Sequence, residues 1–334
     1  MLYHAFVKRQ DRINGFVTEI WSWYSRHKRE LPWRDLKDKD DTQRAYKILV
    51  SEVMLQQTQV PRVIVIYKRF LEQFPTIADL ARAGNKEVII AWRGMGYNSR
   101  ALRLRDAAKI IVDQHAGIFP HDFNQLVAIK GIGPYTASAI RSFAFNIATP
   151  GIDTNIRRVL HRTFFGPENA DGSFSVSDKK LLVLCTDVLN EWMKQGHNAR
   201  DFFAALMDFG SLVQTKSNPK WDVCPLTEKG LMKTTRKSYK SQATSRGIAR
   251  YAPTKIKKEP GRMEGARYVP NRIFRGRIVD ALREDVKGLT LEKLGSHICL
   301  DWQPSLKPWL KAILSKLERD ELLARSGSRF VLKD

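Results

Sequence analysis

A chain of 334 residues has room for two or three compact domains and a substantial hydrophobic core. Its 57 Lys and Arg residues outnumber 35 Asp and Glu residues, which gives a net charge of +22 and makes nucleic acid the first partner to consider. No apolar segment is long enough to act as an export signal or to cross a bilayer, so we expect no membrane contact and an intracellular location, either cytoplasm and nucleoid or a nucleus.

Three scattered cysteines, Cys185, Cys224 and Cys299, suit a reducing compartment and argue against a disulfide framework. Up to residue 230 the apolar positions recur at helical spacing, as in the stripe that contains Phe16 and Ile20. Strand-like alternation is rare there, so we predict a mainly α fold. The predicted parts are a six-helix lobe over about residues 36–150 and a second helical lobe made of residues 1–35 and 151–230.

Residues 231–268 differ in composition from the rest of the chain. They contain eleven Lys and Arg residues but only two acids, and few large aliphatic residues, which predicts a basic linker. Residues 269–334 then predict three helices and a β-hairpin that turns at Ser326-Gly327-Ser328. The predicted helices are Ile273–Leu282, Leu291–Ile298 and Ser305–Glu318. This order resembles a small winged-helix-like α+β domain, which would contact either nucleic acid or another protein.

The strongest local signal is the segment Leu126–Ala137. Gly131 and Gly133 flank Ile132 between two helical stretches, and they would let backbone amides approach a phosphate at a helix amino terminus. Such a turn holds a nucleic-acid backbone without reading its sequence. A Gly-x-Gly sequence alone is equally typical of an ordinary helix–helix turn.

Asp153 follows Tyr135 by eighteen residues and is placed to cap the next helix. The hairpin GIGPYTA followed by an Asp at this interval resembles the signature of the helix-hairpin-helix DNA glycosylase superfamily. The resemblance implies a two-lobed helical glycosylase core, and an enzyme that flips a base out of duplex DNA and hydrolyses its glycosidic bond. Strand-cleaving members carry a Schiff-base Lys where this chain has Tyr135, so a monofunctional enzyme without strong AP-lyase activity is implied.

Further motifs narrow the resemblance. LPWR (Leu31–Arg34), SEVMLQQTQV (Ser51–Val60), WRGMGYNSRA (Trp92–Ala101) and the hairpin with DTNIRRVL resemble, in this order, the MutY family of adenine DNA glycosylases. The resemblance covers residues 16 to about 230. It implies a base excision repair enzyme that removes adenine mispaired with 8-oxoguanine or guanine.

Two carboxyl groups suit that reaction. Adenine leaves more easily once protonated, and Glu52, on an otherwise apolar helix, would have the raised pKa of a proton donor. An ionised Asp153 would stabilise the oxocarbenium-like sugar that forms. By the resemblance, Tyr135 and Asn155 would form hydrogen bonds near the sugar and Asp153.

The resemblance also assigns residues that recognise the base and its partner. Arg34 would border the adenine pocket, and Gln56, Gln57 and Thr58 would fill the gap left by the flipped base or touch the opposite base. Tyr97 would wedge into the base stack, although an aromatic residue after a Gly turn is also typical of a core. Phosphate contacts are expected from Gly131, Gly133, Thr136, Arg157 and Arg158. The two arginines would fit a solvated helix face as well.

The sequence departs from the family pattern where four Cys normally hold a [4Fe-4S] cluster. Those positions are Gln214, Trp221, Cys224 and Gly230. One thiolate cannot hold a cluster, so we expect no iron–sulfur cluster and no other cofactor.

The carboxy-terminal residues bear no resemblance to the Nudix-related domain of typical members, which leaves the opposite-base preference open. One alternative is a thymine or uracil glycosylase that acts opposite guanine, and another is a catalytically silent DNA-binding protein. We favour adenine because QQTQV and GMGYN match the adenine enzymes. The expected partner is double-stranded DNA with a mismatch or an oxidised base, bound by a monomer, with other repair proteins as candidate partners of the carboxy-terminal domain.

Overall fold

The computed structural model describes residues 2–239 and 259–334 and, within them, side chains from Arg9 onward. The protein is mainly helical, which confirms the predicted fold class. Before residue 239 the labelled helices are α1 (Leu2–His27), α2 (Asp41–Leu55), α3 (Val60–Gln73), α4 (Ile77–Arg82), α5 (Asn85–Ala91), α6 (Ser99–Gln114), α7 (Phe123–Ala128), α8 (Pro134–Phe145), α9 (Thr154–Phe164), α10 (Asp178–Lys194), α11 (Ala199–Leu212) and α12 (Pro225–Glu228). Among the helices of these ranges, none is both long and apolar enough to cross a membrane.

The described chain divides into two compact units. The first comprises residues 2–48, 121–127 and 133–239, and the second comprises residues 49–120, 128–132 and 259–334. This division differs from the two lobes predicted from the sequence. Helix α8 belongs to the first unit because it packs against α11, and the carboxy-terminal residues share the second unit with α3–α6.

The first unit has a core formed by α1, α9, α10 and α11. The predicted stripe on α1 is buried, with Phe16 and Ile20 at most 1% exposed. These side chains belong to the same apolar cluster as Trp192 and Phe209. Burial of each large apolar side chain stabilises the fold by about 1.5–3 kcal/mol, so this core holds α9 and α11 in a fixed arrangement.

The residues at the starts of α8 and α9 meet specific backbone requirements. Gly131 has φ +104°, and a Cβ there would lie 3.2 Å from the carbonyl oxygen of Arg103, so glycine is required. Pro134 begins α8 with the φ that a first helical turn needs. Asp153 caps α9, since its Oδ1 accepts a hydrogen bond of 2.6 Å from the backbone N–H of Ile156.

The carboxy-terminal domain contains three helices and short strands. The elements are β1 (Gly261–Glu264), β2 (Arg267–Pro270), α13 (Asn271–Glu284), β3 (Leu289–Thr290), α14 (Leu291–Ile298), α15 (Lys307–Arg319), β4 (Leu323–Ser326) and β5 (Arg329–Leu332). Strands β3, β5 and β4 form an antiparallel sheet in that order, and Gly327 turns the β4–β5 hairpin at φ +60°. The predicted helices and hairpin are present, whereas β3 and the β1–β2 hairpin were not predicted.

The predicted linker, residues 231–268, is ordered at both ends. The backbone N–H groups of Lys233 and Thr234 donate to the carbonyl oxygens of Thr163 and Arg162 at 3.0 and 2.9 Å. At the other end β1 pairs with β2. Residues 240–258 lie outside the described residues, so the central part of this prediction is not addressed.

Within the second unit, the carboxy-terminal domain packs directly on α5 and α6. Ile89 and Leu102 belong to the apolar cluster of that domain. Arg283 donates to the carbonyl oxygen of Ile89 at 2.8 Å and to Oδ1 of Asn98 at 3.0 Å. The side-chain amide of Asn85 donates to the carbonyl oxygen of Glu321 at 3.0 Å. These contacts fix the domain beside the Gly94–Asn98 loop.

Candidate active site

The carboxyl group of Asp153 is partly buried at the start of α9. Oδ1 accepts from the Ile156 N–H, and Oδ2 accepts from the side-chain amide of Asn155 at 2.9 Å. Desolvation raises the pKa of Asp153 above its usual 3.8, and the hydrogen bonds and the nearby Arg158 charge oppose that rise. Hydrogen bonds therefore orient both carboxylate oxygens. A carboxylate that acts on one atom of a bound substrate needs such a fixed orientation.

Asn155 is held in turn by Arg158. The Arg158 guanidinium donates to Asn155 Oδ1 at 2.7 Å, and this bond fixes which side of the amide faces Asp153. A chain of hydrogen bonds therefore runs from Arg158 through Asn155 to Asp153. The structure brings together two of the four predicted catalytic residues, Asp153 and Asn155, on one helix turn.

The contact of Arg158 with DNA phosphate stays a prediction, and the structure shows that its guanidinium is used for internal hydrogen bonds. Arg158 is 8% exposed, and its guanidinium donates to the carbonyl oxygens of Gln214 and Gly210 as well as to Asn155. Those acceptors occupy the guanidinium N–H groups that would otherwise donate to a phosphate. Arg157 is partly exposed and forms an ion pair with Asp178, which leaves its predicted phosphate contact untested.

Tyr135 lies in the first turn of α8, in the same unit as Asp153. Its hydroxyl contacts Sδ of Met207 at 3.9 Å, and its ring lies beside Phe203 with the centroids 6.2 Å apart. The Tyr135 side chain is half-buried. A phenol in this position can donate or accept a hydrogen bond, but it cannot form the Schiff base of a lysine.

Glu52 belongs to the second unit and lies near the carboxyl end of α2. It is 8% exposed, and Val53 and Met54 beside it are buried. The prediction of a buried carboxyl group on an apolar helix is confirmed. Its joint action with Asp153 stays a prediction.

Arg34 is buried and forms a two-pronged ion pair with Asp208. Its Nη1 and Nη2 donate to Oδ2 and Oδ1 of Asp208 at 2.7 and 2.8 Å. Arg29 also donates to Asp208, which is fully buried. A cavity of about 20 Å³ beside Arg34 and Tyr24 has room for about one water molecule and is too small for a purine. The predicted role of Arg34 at an adenine pocket therefore stays a prediction.

One buried arginine that sequence analysis missed holds both predicted DNA-reading loops. Arg100 donates to the carbonyl oxygens of Val53, Met54, Gln56, Met95 and Gly96 and to Oγ1 of Thr58, at 2.5 to 3.2 Å. Burial is the main cause that lowers its pKa to about 10, so it stays charged at neutral pH. The sequence did contain a signal for this role, because Arg100 lies beside the apolar residues Ala101 and Leu104 on α6.

The two loops that Arg100 holds present strained, exposed residues. Gln57 and Tyr97 have positive φ values of +57° and +48°, which non-glycine residues rarely adopt. Tyr97 is 49% exposed, which excludes the alternative that it is a core residue. Its ring lies 5.6 Å from the Arg100 guanidinium carbon. Gln56 and Gln57 are exposed as well, so all three are available to a ligand.

The hairpin glycines are accessible. Gly131 and Gly133 are exposed, whereas the Thr136 side chain is buried in the first turn of α8. The glycine backbone can thus approach a phosphate, and a contact from Thr136 is restricted to its backbone.

The positions that correspond to cluster ligands do not fit an iron–sulfur cluster. The Gln214 side-chain amide donates to Sγ of Cys224 at 3.4 Å, and Trp221 packs beside Tyr239 with ring centroids 5.6 Å apart. Gly230 turns the chain at φ +65°. Within the described ranges, no three His, Cys, Asp or Glu side chains are grouped to hold a metal.

A buried ion pair stabilises this loop. Arg162 donates to Oε1 of Glu168 at 2.8 Å and to the carbonyl oxygen of Thr215 at 2.9 Å, and it lies 4.9 Å from the centre of the Tyr239 ring. The Tyr239 hydroxyl donates to the carbonyl oxygen of Lys216. Side chains of α9 thus hold the loop through its backbone.

Comparisons with known proteins find related DNA repair proteins. Residues 50–176 match the family model of the HhH-GPD superfamily of base excision DNA repair proteins. The adenine DNA glycosylase of Mycolicibacterium smegmatis is 34% identical over 276 residues, which are 83% of each chain. The adenine DNA glycosylases of Mus musculus and Homo sapiens are 37% and 38% identical over 67% of this chain, and the chain spans 42% and 40% of their lengths.

Solved structures share the fold. A thermostable thymine-DNA glycosylase superposes with a TM-score of 0.58 and 25% identity, over 71% of this chain and 99% of that one. Endonuclease III in a trapped covalent intermediate with DNA superposes with a TM-score of 0.55 and 19% identity, over 70% of this chain and 98% of that one. At 19% identity the second likeness concerns the fold alone.

Proposed function

This chain belongs to the adenine DNA glycosylases of the HhH-GPD superfamily, and from that membership we propose that it removes adenine from mispaired sites in duplex DNA. The reaction is hydrolysis of the N-glycosidic bond. Because this substrate is genomic DNA, we place the protein in the compartment that holds the genome. The observation that carries the proposal is the carboxyl group of Asp153, which two hydrogen bonds orient at the start of α9.

Each carboxyl group has one task in this proposal. Glu52, in its acid form, donates a proton to the departing adenine. General acid catalysis of this kind typically raises the reaction rate by about 10²- to 10⁴-fold. Asp153, ionised, stabilises the positive charge that develops on the sugar. Asn155 keeps Asp153 oriented, and Tyr135 bonds near the sugar.

The proposed DNA contacts come from the hairpin and from the two loops that Arg100 holds. The exposed backbone of Gly131 and Gly133 binds a phosphate at the start of α8. Tyr97 and Gln57 enter the base stack beside the orphaned partner, and 8-oxoguanine is the partner we propose. The buried hydrogen bonds around Gln214 and Cys224 support an enzyme that works without a cofactor.

The products of one duplex test this function. A duplex with adenine opposite 8-oxoguanine should yield free adenine and an abasic strand that breaks only after alkali treatment. Borohydride should trap no covalent adduct, because Tyr135 replaces the Schiff-base lysine. Strand cleavage without alkali, or a trapped adduct, would contradict the monofunctional mechanism.

A thymine-specific activity is the second candidate, favoured by the likeness to a thymine-DNA glycosylase at 25% identity. The same assay with thymine or uracil opposite guanine separates the two. Release of thymine or uracil at a rate that exceeds adenine release would favour the second candidate.

A further inference from the structure

A groove within the second unit lies between the Tyr97 loop and the carboxy-terminal domain. One wall is formed by Gln57–Gln59, Arg62 and Gly94–Ser99, and the other is formed mainly by α13 and α15. We name it the wing groove. It encloses about 1140 Å³, above the roughly 300–1,000 Å³ typical of small-molecule pockets. Its size therefore suits an extended polymer better than a small ligand.

The charge of the wing groove favours an anionic partner. Among the residues that the structure describes, six cations but only three acids line it, and the three acids, Glu259, Asp280 and Asp320, are each paired with an arginine. No ion pair joins Arg62 or Lys316 to another residue of ranges 2–239 and 259–334, and both are exposed. These two cations lie on opposite walls. Each can neutralise one phosphate without first breaking an ion pair.

The same groove has apolar surface that suits bases. Tyr97 lies on one wall, and Ile273, which is 43% exposed, lies on the other with Trp309. Gly276, in the middle of α13, faces open space where any other residue would place a Cβ. Glycine inside a helix costs about 1 kcal/mol of stability, and here it leaves room for a close approach to the helix backbone. Cations beside an exposed aromatic side chain, here Tyr97, are the usual surface for unpaired bases and their flanking phosphates.

The contacts between the walls indicate a preformed groove. Arg283 of α13 donates to the side chain of Asn98, which directly follows Tyr97. Arg93, which directly precedes Gly94, forms an ion pair of 2.7 Å with Glu284 at the end of α13. The carboxy-terminal domain thus has a defined position next to Tyr97, and little ordering cost remains for a ligand that spans both walls.

From the size, charge and apolar surface of the wing groove, we propose that it binds the DNA strand opposite the excised base, with Arg62 and Lys316 on its phosphates. The carboxy-terminal domain is then part of the DNA-binding surface. This proposal rests on the proposed function, which places Tyr97 beside the orphaned base. A protein partner in the same groove is the competing outcome.

Salt-dependent binding tests the proposal. The probe is a duplex with 8-oxoguanine opposite a 2′-fluoro-adenosine, whose glycosidic bond resists hydrolysis. In Lys316→Ala, the slope of log Kd against log salt should fall by about 0.9 and affinity at 0.1 M salt should fall about eightfold, as expected for one lost phosphate contact. Arg62→Ala should behave similarly. Lys311→Ala removes an exposed lysine from the same helix but outside the groove, and it should change neither quantity.

Neutral phosphates identify the strand. Methylphosphonates placed near the orphaned base on the 8-oxoguanine strand should abolish the difference between wild type and Lys316→Ala. The same groups on the adenine strand should leave that difference intact. The reverse pattern would assign the groove to the other strand and overturn the proposal.

Wild-type activity separates the two levels of inference. If the wild-type protein releases adenine but Lys316→Ala and Arg62→Ala keep its Kd and salt slope, the wing groove does not bind DNA and the proposal is overturned. If the wild-type protein releases no adenine, the proposed function itself is refuted.

Discussion

At Asp153, burial and hydrogen bonding act in opposite directions on one carboxyl group. Burial raises its pKa, and the bonds from Ile156 and Asn155 lower it. The ionised form therefore costs folding free energy, about 1.4 kcal/mol for each pKa unit. Asp153→Asn removes the charge and keeps an N-capping side chain, so we expect a higher unfolding free energy at pH 7. Chemical denaturation should show that this gain shrinks as pH falls through the raised pKa and wild-type Asp153 becomes protonated.

The same titration predicts the acid limb of the pH–rate profile. Base release needs ionised Asp153, so the rate should fall as pH drops through a pKa above 3.8. Asn155→Ala removes a hydrogen bond that lowers this pKa, and the limb should move to higher pH. Thr154→Ala changes an exposed neighbour and should leave the limb in place. Single-turnover rates measure both, and an unmoved limb in Asn155→Ala would contradict the assigned role of Asn155.

Arg100 predicts a link between stability and opposite-base preference. Arg100→Lys keeps the charge but cannot reach the six oxygens that the guanidinium contacts, so unfolding free energy should fall by about 2–4 kcal/mol. The proposed preference for 8-oxoguanine over guanine opposite adenine should fall as well, because the loops of Gln57 and Tyr97 lose their support. Arg103→Lys, on an exposed part of the same helix, is the control. Unchanged preference in folded Arg100→Lys would refute the link.

At the scale of elements, α9 connects the predicted catalytic Asp153 to the loop without a cluster. Asp153 caps its first turn, Arg158 contacts Gln214 and Gly210, and Arg162 contacts Glu168 and the loop backbone. Arg158 and Arg162 are four residues apart and therefore share one face of the helix. The loop is therefore stabilised by protein groups that also hold the helix of the predicted catalytic carboxylate.

The buried pair Arg162–Glu168 gives a test at this scale. Glu168→Ala leaves a buried guanidinium without its counter-charge, so unfolding free energy should fall by about 3–5 kcal/mol. The exposed pair Arg9–Asp187 is a matched comparison, and Asp187→Ala should cost less than about 1 kcal/mol. Urea denaturation measures both. Equal, small costs would show that the buried pair does not stabilise the loop.

Sequence patterns predicted the elements better than their contacts. The stripe of Phe16 and Ile20 and the Gly327 turn were predictable, because helical periodicity and turn residues are local signals. The roles of Arg100 and Arg158 were not, because an arginine that donates to buried carbonyl oxygens reads in sequence like an arginine on a solvated face. The position of the carboxy-terminal domain was missed for a related reason, since tertiary packing leaves no short-range pattern.

At the scale of the whole molecule, the net charge of +22 agrees with a DNA-binding enzyme. The altered cluster positions predict that the purified protein contains no iron and lacks the visible absorption of iron–sulfur clusters. Elemental analysis and an absorption spectrum check this. Stoichiometric iron would show that Gln214, Trp221 and Gly230 do not mark a lost cluster.

The most direct test of the central claim is the single-turnover release of adenine opposite 8-oxoguanine by wild type, Glu52→Gln and Asp153→Asn. If Glu52 and Asp153 both act in the reaction, the wild type should release adenine rapidly. Each variant should lose at least about 100-fold in the release rate while it still binds the duplex. Release at the wild-type rate by either folded variant would contradict the mechanism.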